Sequence, residues 1–127
     1  MYLTQSEMEI MQAFWKCDRS MSLSELKEVS PNRTWKDRSV FSMINNLIKK
    51  GFLKEDSFVH SGKTIARTFA PIISCTEYMI SQFGEYSDKI DYTQLLTGLL
   101  GDKDIDPNDI DELDKLISMK KRELKKK

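Results

Sequence analysis

A chain of 127 residues fits one domain or two small subdomains, long enough to bury roughly two-thirds of its unfolded surface and too short for a large enzyme. Twenty Lys and Arg balance twenty Asp and Glu, so the net charge of zero offers no global argument for binding nucleic acid or membranes. With 39% hydrophobic and 31% charged residues, the composition is that of a globular protein and not of a disordered tail.

Helix start signals recur along the chain. Thr4-Gln5-Ser6-Glu7 has the form of a capping box, in which the hydroxyl accepts from an amide three residues on and the carboxylate reaches back. Behind it Met8, Met11 (or Ile10), Phe14 and Trp15 fall at helical spacing, which predicts a first helix over 5–17. Ser22-Leu23-Ser24-Glu25 is a second box, followed by Leu23, Leu26 and Val29, and Pro31 stops a short helix over 23–30. A third helix is expected from about Lys36 to Lys50, closed by Gly51 in the left-handed region. Val40, Met43, Ile44, Leu47 and Ile48 share one arc of its wheel. The opposite arc collects Trp35, Arg38, Ser39, Ser42, Asn45, Asn46 and Lys49.

Phe52–Asp56 and Thr64–Phe69 then read as two short strands, with 57–63 as the loop between them and Pro71 ending the unit. Three helices and a hairpin in that order are the plan of a winged helix-turn-helix, with the hairpin as wing. The fold class expected is mainly α with a small antiparallel β-hairpin. The predicted boundary separates a DNA-binding domain over 1–71 from a helical dimerisation region over 72–127.

In that second region Ser74-Cys75-Thr76-Glu77 is a third capping box, opening a helix with Tyr78, Met79, Gln82, Phe83 and Tyr86 in a stripe. Tyr92, Leu95, Leu96, Leu99 and Leu100 form another stripe, interrupted by Gly98 and Gly101. Asp106 as cap and Pro107 at the first helical position start a last helix, lined by Ile110, Leu113, Leu116 and Ile117 and ending in lysines through Lys127. Small helical pieces with apolar stripes and no sheet to rest on need something to cover them. Folding back on the first subdomain is one solution and a homodimerisation arm the other. The dimer is preferred, with Tyr78, Met79, Phe83, Tyr86, Leu95, Leu96, Leu99, Leu100, Ile110, Leu113, Leu116 and Ile117 as its interface.

Charge becomes informative by segment. Residues 31–67 hold eight basic side chains against three acidic ones, net +5, while the flanking segments are net negative. The outward arc of the third helix carries no carboxylate between Trp35 and Lys49 except Asp37. Arginine can span guanine O6 and N7, asparagine adenine N6 and N7, and serine can serve a base edge or a phosphate. Arg38, Ser39, Ser42, Asn45 and Asn46 are therefore candidate base readers. Lys36, Lys49, Lys50, Lys63 and Arg67 are candidate phosphate contacts, and Trp35 either meets DNA or packs beneath the helix. The alternative for the same face is a protein partner and no DNA.

Other chemistries lack their motifs. His60 is the only histidine and falls in the wing. Gly51, Gly62 and Gly84 are isolated, so no phosphate-cradling loop is present. Cys17 and Cys75 lie 58 positions apart without further soft ligands nearby, which predicts reduced thiols in a cytoplasmic protein and no metal or other cofactor. The seven acids of Asp102–Asp114 lack EF-hand order and read as a charged helix face. The apolar runs are far shorter than the roughly 20 residues that cross a bilayer, and no export signal is expected at the start.

A resemblance adds to this reading. Leu3-Thr4, Ser6-Glu7, Glu9-Ile10-Met11 and Trp15, then Thr34-Trp35, Arg38-Ser39-Val40, Ser42, Ile44, Leu47 and Lys49-Lys50-Gly51-Phe52-Leu53 resemble the penicillinase-repressor family (BlaI/MecI/CopY). The likeness continues through Phe69-Ala70-Pro71-Ile72-Ile73-Ser74 and Leu95-Leu96. It resumes at Asp106-Pro107, Asp109-Ile110, Glu112-Leu113 and Leu116-Ile117. It implies a homodimeric repressor whose winged helix binds a palindromic operator, in regulation of the antibiotic-resistance type. The family's reading pair falls on Arg38 and Ser39, its second hydroxyl on Ser42 and its tryptophan on Trp35. Lys36-Asp37 stands where the family commonly has Ser-Pro, and Asn46 where it has Arg. The Cys-x-Cys cluster of copper-responsive members has no counterpart after Cys75. The Asn-Phe bond cleaved in β-lactam-responsive members corresponds to Thr97-Gly98-Leu99, which leaves a sensor protease acting near Gly98-Leu99 as an implied partner only.

Overall fold

The structure, a computed structural model, describes residues 2–101 and 105–126. In chain order it contains α1 (Gln5–Cys17), α2 (Leu23–Glu28), α3 (Asp37–Lys49), β1 (Leu53–Ser61), β2 (Thr64–Pro71), α4 (Cys75–Glu85), α5 (Tyr92–Leu100) and α6 (Pro107–Lys125). Asp102, Asp104 and Lys127, parts of the acidic run and the basic tail, lie outside the described residues.

The capping boxes form where the sequence places them. Thr4 Oγ1 accepts from the Glu7 amide at 3.2 Å and Glu7 Oε1 from the Thr4 amide at 2.9 Å. Ser22 with Glu25 and Ser74 with Glu77 repeat the exchange. Asp106 caps α6 by accepting from the Asn108 amide at 2.9 Å. The stop after α3 is a Schellman turn: the Phe52 amide donates to the Leu47 carbonyl at 2.9 Å and the Gly51 amide to that of Ile48 at 3.0 Å. Gly51 takes φ +85° there, and nothing lies within 4 Å of where its Cβ would be. Gly51→Ala therefore meets only backbone strain, and we expect it to cost about 1 kcal/mol, read as a shifted midpoint in denaturant melts.

The wing is longer than the sequence suggests. Residues 57–61 are not loop: β1 runs to Ser61 and pairs antiparallel with β2 from Ser61↔Thr64 to Leu53↔Pro71, with a bulge between Glu55 and Ser57. Gly62-Lys63 is left as a two-residue turn, with Gly62 at φ +65°. A glycine first in such a turn matches the right-handed twist of the strands, so the hairpin needs no longer loop. An isolated bridge between Met21 and Phe69 attaches the α1–α2 connection to the sheet.

One core holds the first 85 residues together. Ile10, Met11 and Phe14 of α1, Leu26 of α2, Val40, Ile44 and Leu47 of α3, and Met21, Leu53 and Phe69 are buried in one cluster. Tyr78 belongs to it too, 5% exposed, with its ring 5.8 Å from Trp15 and 5.7 Å from Phe52. Trp15 Nε1 also donates to the Ile73 carbonyl at 3.0 Å, pinning the segment that leads into α4. The compact units accordingly divide at Glu85/Tyr86 and not at Pro71. Tyr78 is thus a core residue of the first unit and is withdrawn from the dimer-interface set. The second unit, Tyr86–Lys127, contains α5 and α6, whose large apolar residues are exposed apart from half-buried Leu95.

Candidate nucleic-acid interface

α3 is held at both ends by carboxylates of α1. At its C-terminal end Lys50 Nζ lies 2.6 Å from Glu7 Oε1 and donates to the Tyr2 carbonyl at 3.2 Å. Glu7 is only 3% exposed. Burial pushes its carboxyl pKa up. The Lys50 hydrogen bond, the Thr4 amide and the Lys50 charge together outweigh that and leave it below the ordinary value of 4.5. At the other end, Glu9 accepts from the Thr34 amide at 3.0 Å and from the Thr34 hydroxyl. Those bonds, the hydroxyl's first, lower the Glu9 pKa. Asp37 sits in the first turn of α3, where a negative charge suits the helix dipole, and pairs with Arg33 at 2.7 Å. The Arg33 hydrogen bond is the leading cause of its lowered pKa.

These contacts revise three of the candidate positions. Trp35 is 5% exposed and part of the core, with the Arg33 guanidinium 4.9 Å from its ring, so of its two readings the packed one fits. Lys50 faces the α1 cap, and its charge is already engaged by Glu7. Arg67 bonds Glu55 and lies over the rings of Phe41 and Phe69, at 5.6 and 5.8 Å. The contacts that hold Lys50 and Arg67 come from residues far away in sequence, as does the core around Trp35, so spacing alone does not name them.

What remains is the exposed arc of α3, with two lysines outside it. Val40, Ile44 and Leu47 turn into the core, while Arg38, Ser42, Asn45, Asn46 and Lys49 are exposed along the opposite side and Ser39 is half-buried at its edge. Lys36 is exposed at the N-cap, with no side-chain capping bond. Lys63 is exposed in the wing turn. Among the described residues, no ion pair involves Lys36, Arg38, Lys49 or Lys63, whereas Arg19, Arg33, Lys50 and Arg67 all have carboxylate partners. Lys16 on α1 and Lys54 on β1 are exposed without an ion pair as well, so four of the six such cations among the unit's described residues lie on α3, at its N-cap or in the wing turn. Phe41, which the wheel left unassigned, is a further exposed residue of α3.

No grouping of three or more His, Cys, Asp or Glu side chains suited to a metal occurs among the described residues. Among them no helix is long and apolar enough to cross a membrane. His60 is exposed on β1, opposite Ile65.

Three comparisons with known proteins bear on the family. A protein of Latilactobacillus sakei described as "Uncharacterized 16.5 kDa protein in ptsI 3'region" is 28% identical over 119 residues, spanning 93% of this chain and 80% of that one. Two crystal structures of the adhesin competence repressor (AdcR) from Streptococcus pyogenes, one C-terminally His tagged, align at 15% and 16% identity. They cover 96% of this chain and 80% and 82% of theirs, with a TM-score of 0.42 in both cases. The decisive match is to the penicillinase repressor family, over residues 3–119. The chain therefore belongs to the penicillinase repressor family and is a winged-helix transcriptional repressor, a DNA-binding regulator and not an enzyme.

Proposed function

We propose that the protein acts as a homodimer that lays α3 of each protomer into successive major grooves of a palindromic operator, with the wings flanking. Arg38, Ser39, Ser42, Asn45 and Asn46 read base edges, and Lys36, Lys49 and Lys63 neutralise phosphates. The observation that carries this reading is the set of cations without carboxylate partners on one face of α3 and at the wing turn.

The dimer reading draws on the apolar residues of the C-terminal helices. Tyr86, Leu96, Leu99, Leu100, Ile110, Leu113, Leu116 and Ile117 are exposed in the single chain, as are Met79 and Phe83 on α4. That much exposed apolar surface on short helices is what an association interface supplies with a cover. Regulation of the antibiotic-resistance type, with release by a protease cutting near Gly98-Leu99, is part of the proposal. Its check is mass spectrometry after exposure to lysate of antibiotic-induced source cells, and an intact chain removes the protease step.

The main test is a titration with DNA from immediately upstream of the protein's own gene, beside random DNA, at two salt concentrations. Operator binding predicts a preference for the upstream fragment and a steep loss of affinity with salt. Weak binding equal on both DNAs would turn the reading toward a protein partner. Within the same assay, Lys49→Ala should weaken binding on all sequences alike and flatten the log–log salt slope by about 0.9 for each phosphate no longer neutralised.

A further inference from the structure

Phe41 is a large apolar side chain at the edge between the core-facing and the exposed sides of α3. Its neighbours at helical spacing are Asp37, Arg38 and Asn45, all exposed, and Ile44, which is buried in the core. The ring is 47% exposed. It is nevertheless not left loose, because the Arg67 guanidinium lies 5.6 Å from its centroid and is itself fixed by Glu55 and by the Phe69 ring. An aromatic ring is thus held on the rim of the face that displays Arg38 and Asn45, at the side where the wing begins.

The major groove offers one apolar group to a reader, the 5-methyl of thymine. We propose that Phe41 is a specificity-determining residue that packs on a thymine methyl of the operator, and that Arg67 is the positioning residue that holds its ring. The inference rests on the DNA reading given above and adds a base preference that hydrogen-bonding side chains do not supply. Arg67 thereby acts on DNA recognition through Phe41 and not through a phosphate.

The experiment is a two-by-two comparison on the upstream duplex, amplified once with thymine and once with uracil in its place. Uracil pairs as thymine does and lacks only the methyl. The wild-type protein should bind the thymine duplex tighter, by about fourfold for each methyl covered. Phe41→Ala should bind the two duplexes equally, and Phe41→Leu, still apolar, should keep part of the ratio. Arg67→Ala should reduce the ratio while circular dichroism shows the helical content retained. A thymine-to-uracil ratio unchanged in Phe41→Ala, or absent in the wild type, overturns the inference. If the wild type also binds the upstream thymine duplex no better than random DNA, the DNA reading itself fails. A retained upstream preference with an unchanged ratio removes only Phe41's role.

Discussion

Glu7→Ala is expected to lower the unfolding free energy of the first unit by about 3 kcal/mol, because it removes the buried carboxylate of a half-buried charge pair together with half of a capping box. For a unit of this size the melting temperature should fall by roughly 15 °C. Glu7→Gln separates the two roles. Glutamine can still reach back to the Thr4 amide, but it carries no charge for Lys50, so its loss should be smaller. The pH dependence follows from the direction of the shift. The carboxyl of Glu7 has a lower pKa in the folded than in the unfolded chain, so its contribution is present above the ordinary carboxylate value of 4.5. That contribution is lost as pH falls through the folded value. Urea melts from pH 6 down to pH 3 should show Glu7→Gln losing less stability on acidification than the wild type. Equal acid slopes for the two would mean that the pair with Lys50 contributes nothing.

Arg38→Ala is expected to cost about 1–3 kcal/mol on upstream DNA, about five- to 150-fold in affinity, and to bring operator and random DNA closer together. The expectation comes from its position: exposed in the first turns of α3, without a carboxylate partner among the described residues. Arg38→Lys should not restore the preference, since an ammonium lacks the planar fork that spans guanine O6 and N7. Melting temperature should hardly change in either variant. A reduction of equal size on random DNA would place Arg38 among the phosphate-binding residues.

The elements most legible in the sequence are those fixed by neighbours in the chain. α1 spans the predicted 5–17, and the caps at Thr4, Ser22, Ser74 and Asp106 form because donor and acceptor lie within three residues of each other. Gly51 marks the end of α3 for the same reason. The wing is less legible. Ser57–Ser61 is polar enough to read as loop, and only the Gly62-Lys63 pair signals a tight turn.

Long-range contacts account for the remaining differences. Lys50 and Glu7 are 43 residues apart, so the wheel leaves Lys50 off the outward arc that holds Lys49 but cannot name the carboxylate it meets. Tyr78 looks like any member of an amphipathic stripe until Trp15 and Phe52 close around it. Trp35 and Phe41 show the same limit from opposite sides. The aromatic assigned to the outward arc is buried, and the one left unassigned is half exposed.

The residues that fix the pose of α3 and those it displays are almost disjoint sets. Glu7, Glu9, Thr34, Lys50 and the Schellman turn hold the helix, whereas Arg38, Ser42, Asn45, Asn46 and Lys49 point away from every one of these contacts. Exchanging the displayed residues leaves the scaffold's free energy nearly untouched, since surface substitutions away from caps and pairs change stability by about 0.5 kcal/mol or less. Duplicated copies of such a gene can therefore drift to new target sequences one side chain at a time, without passing through an unfolded ancestor.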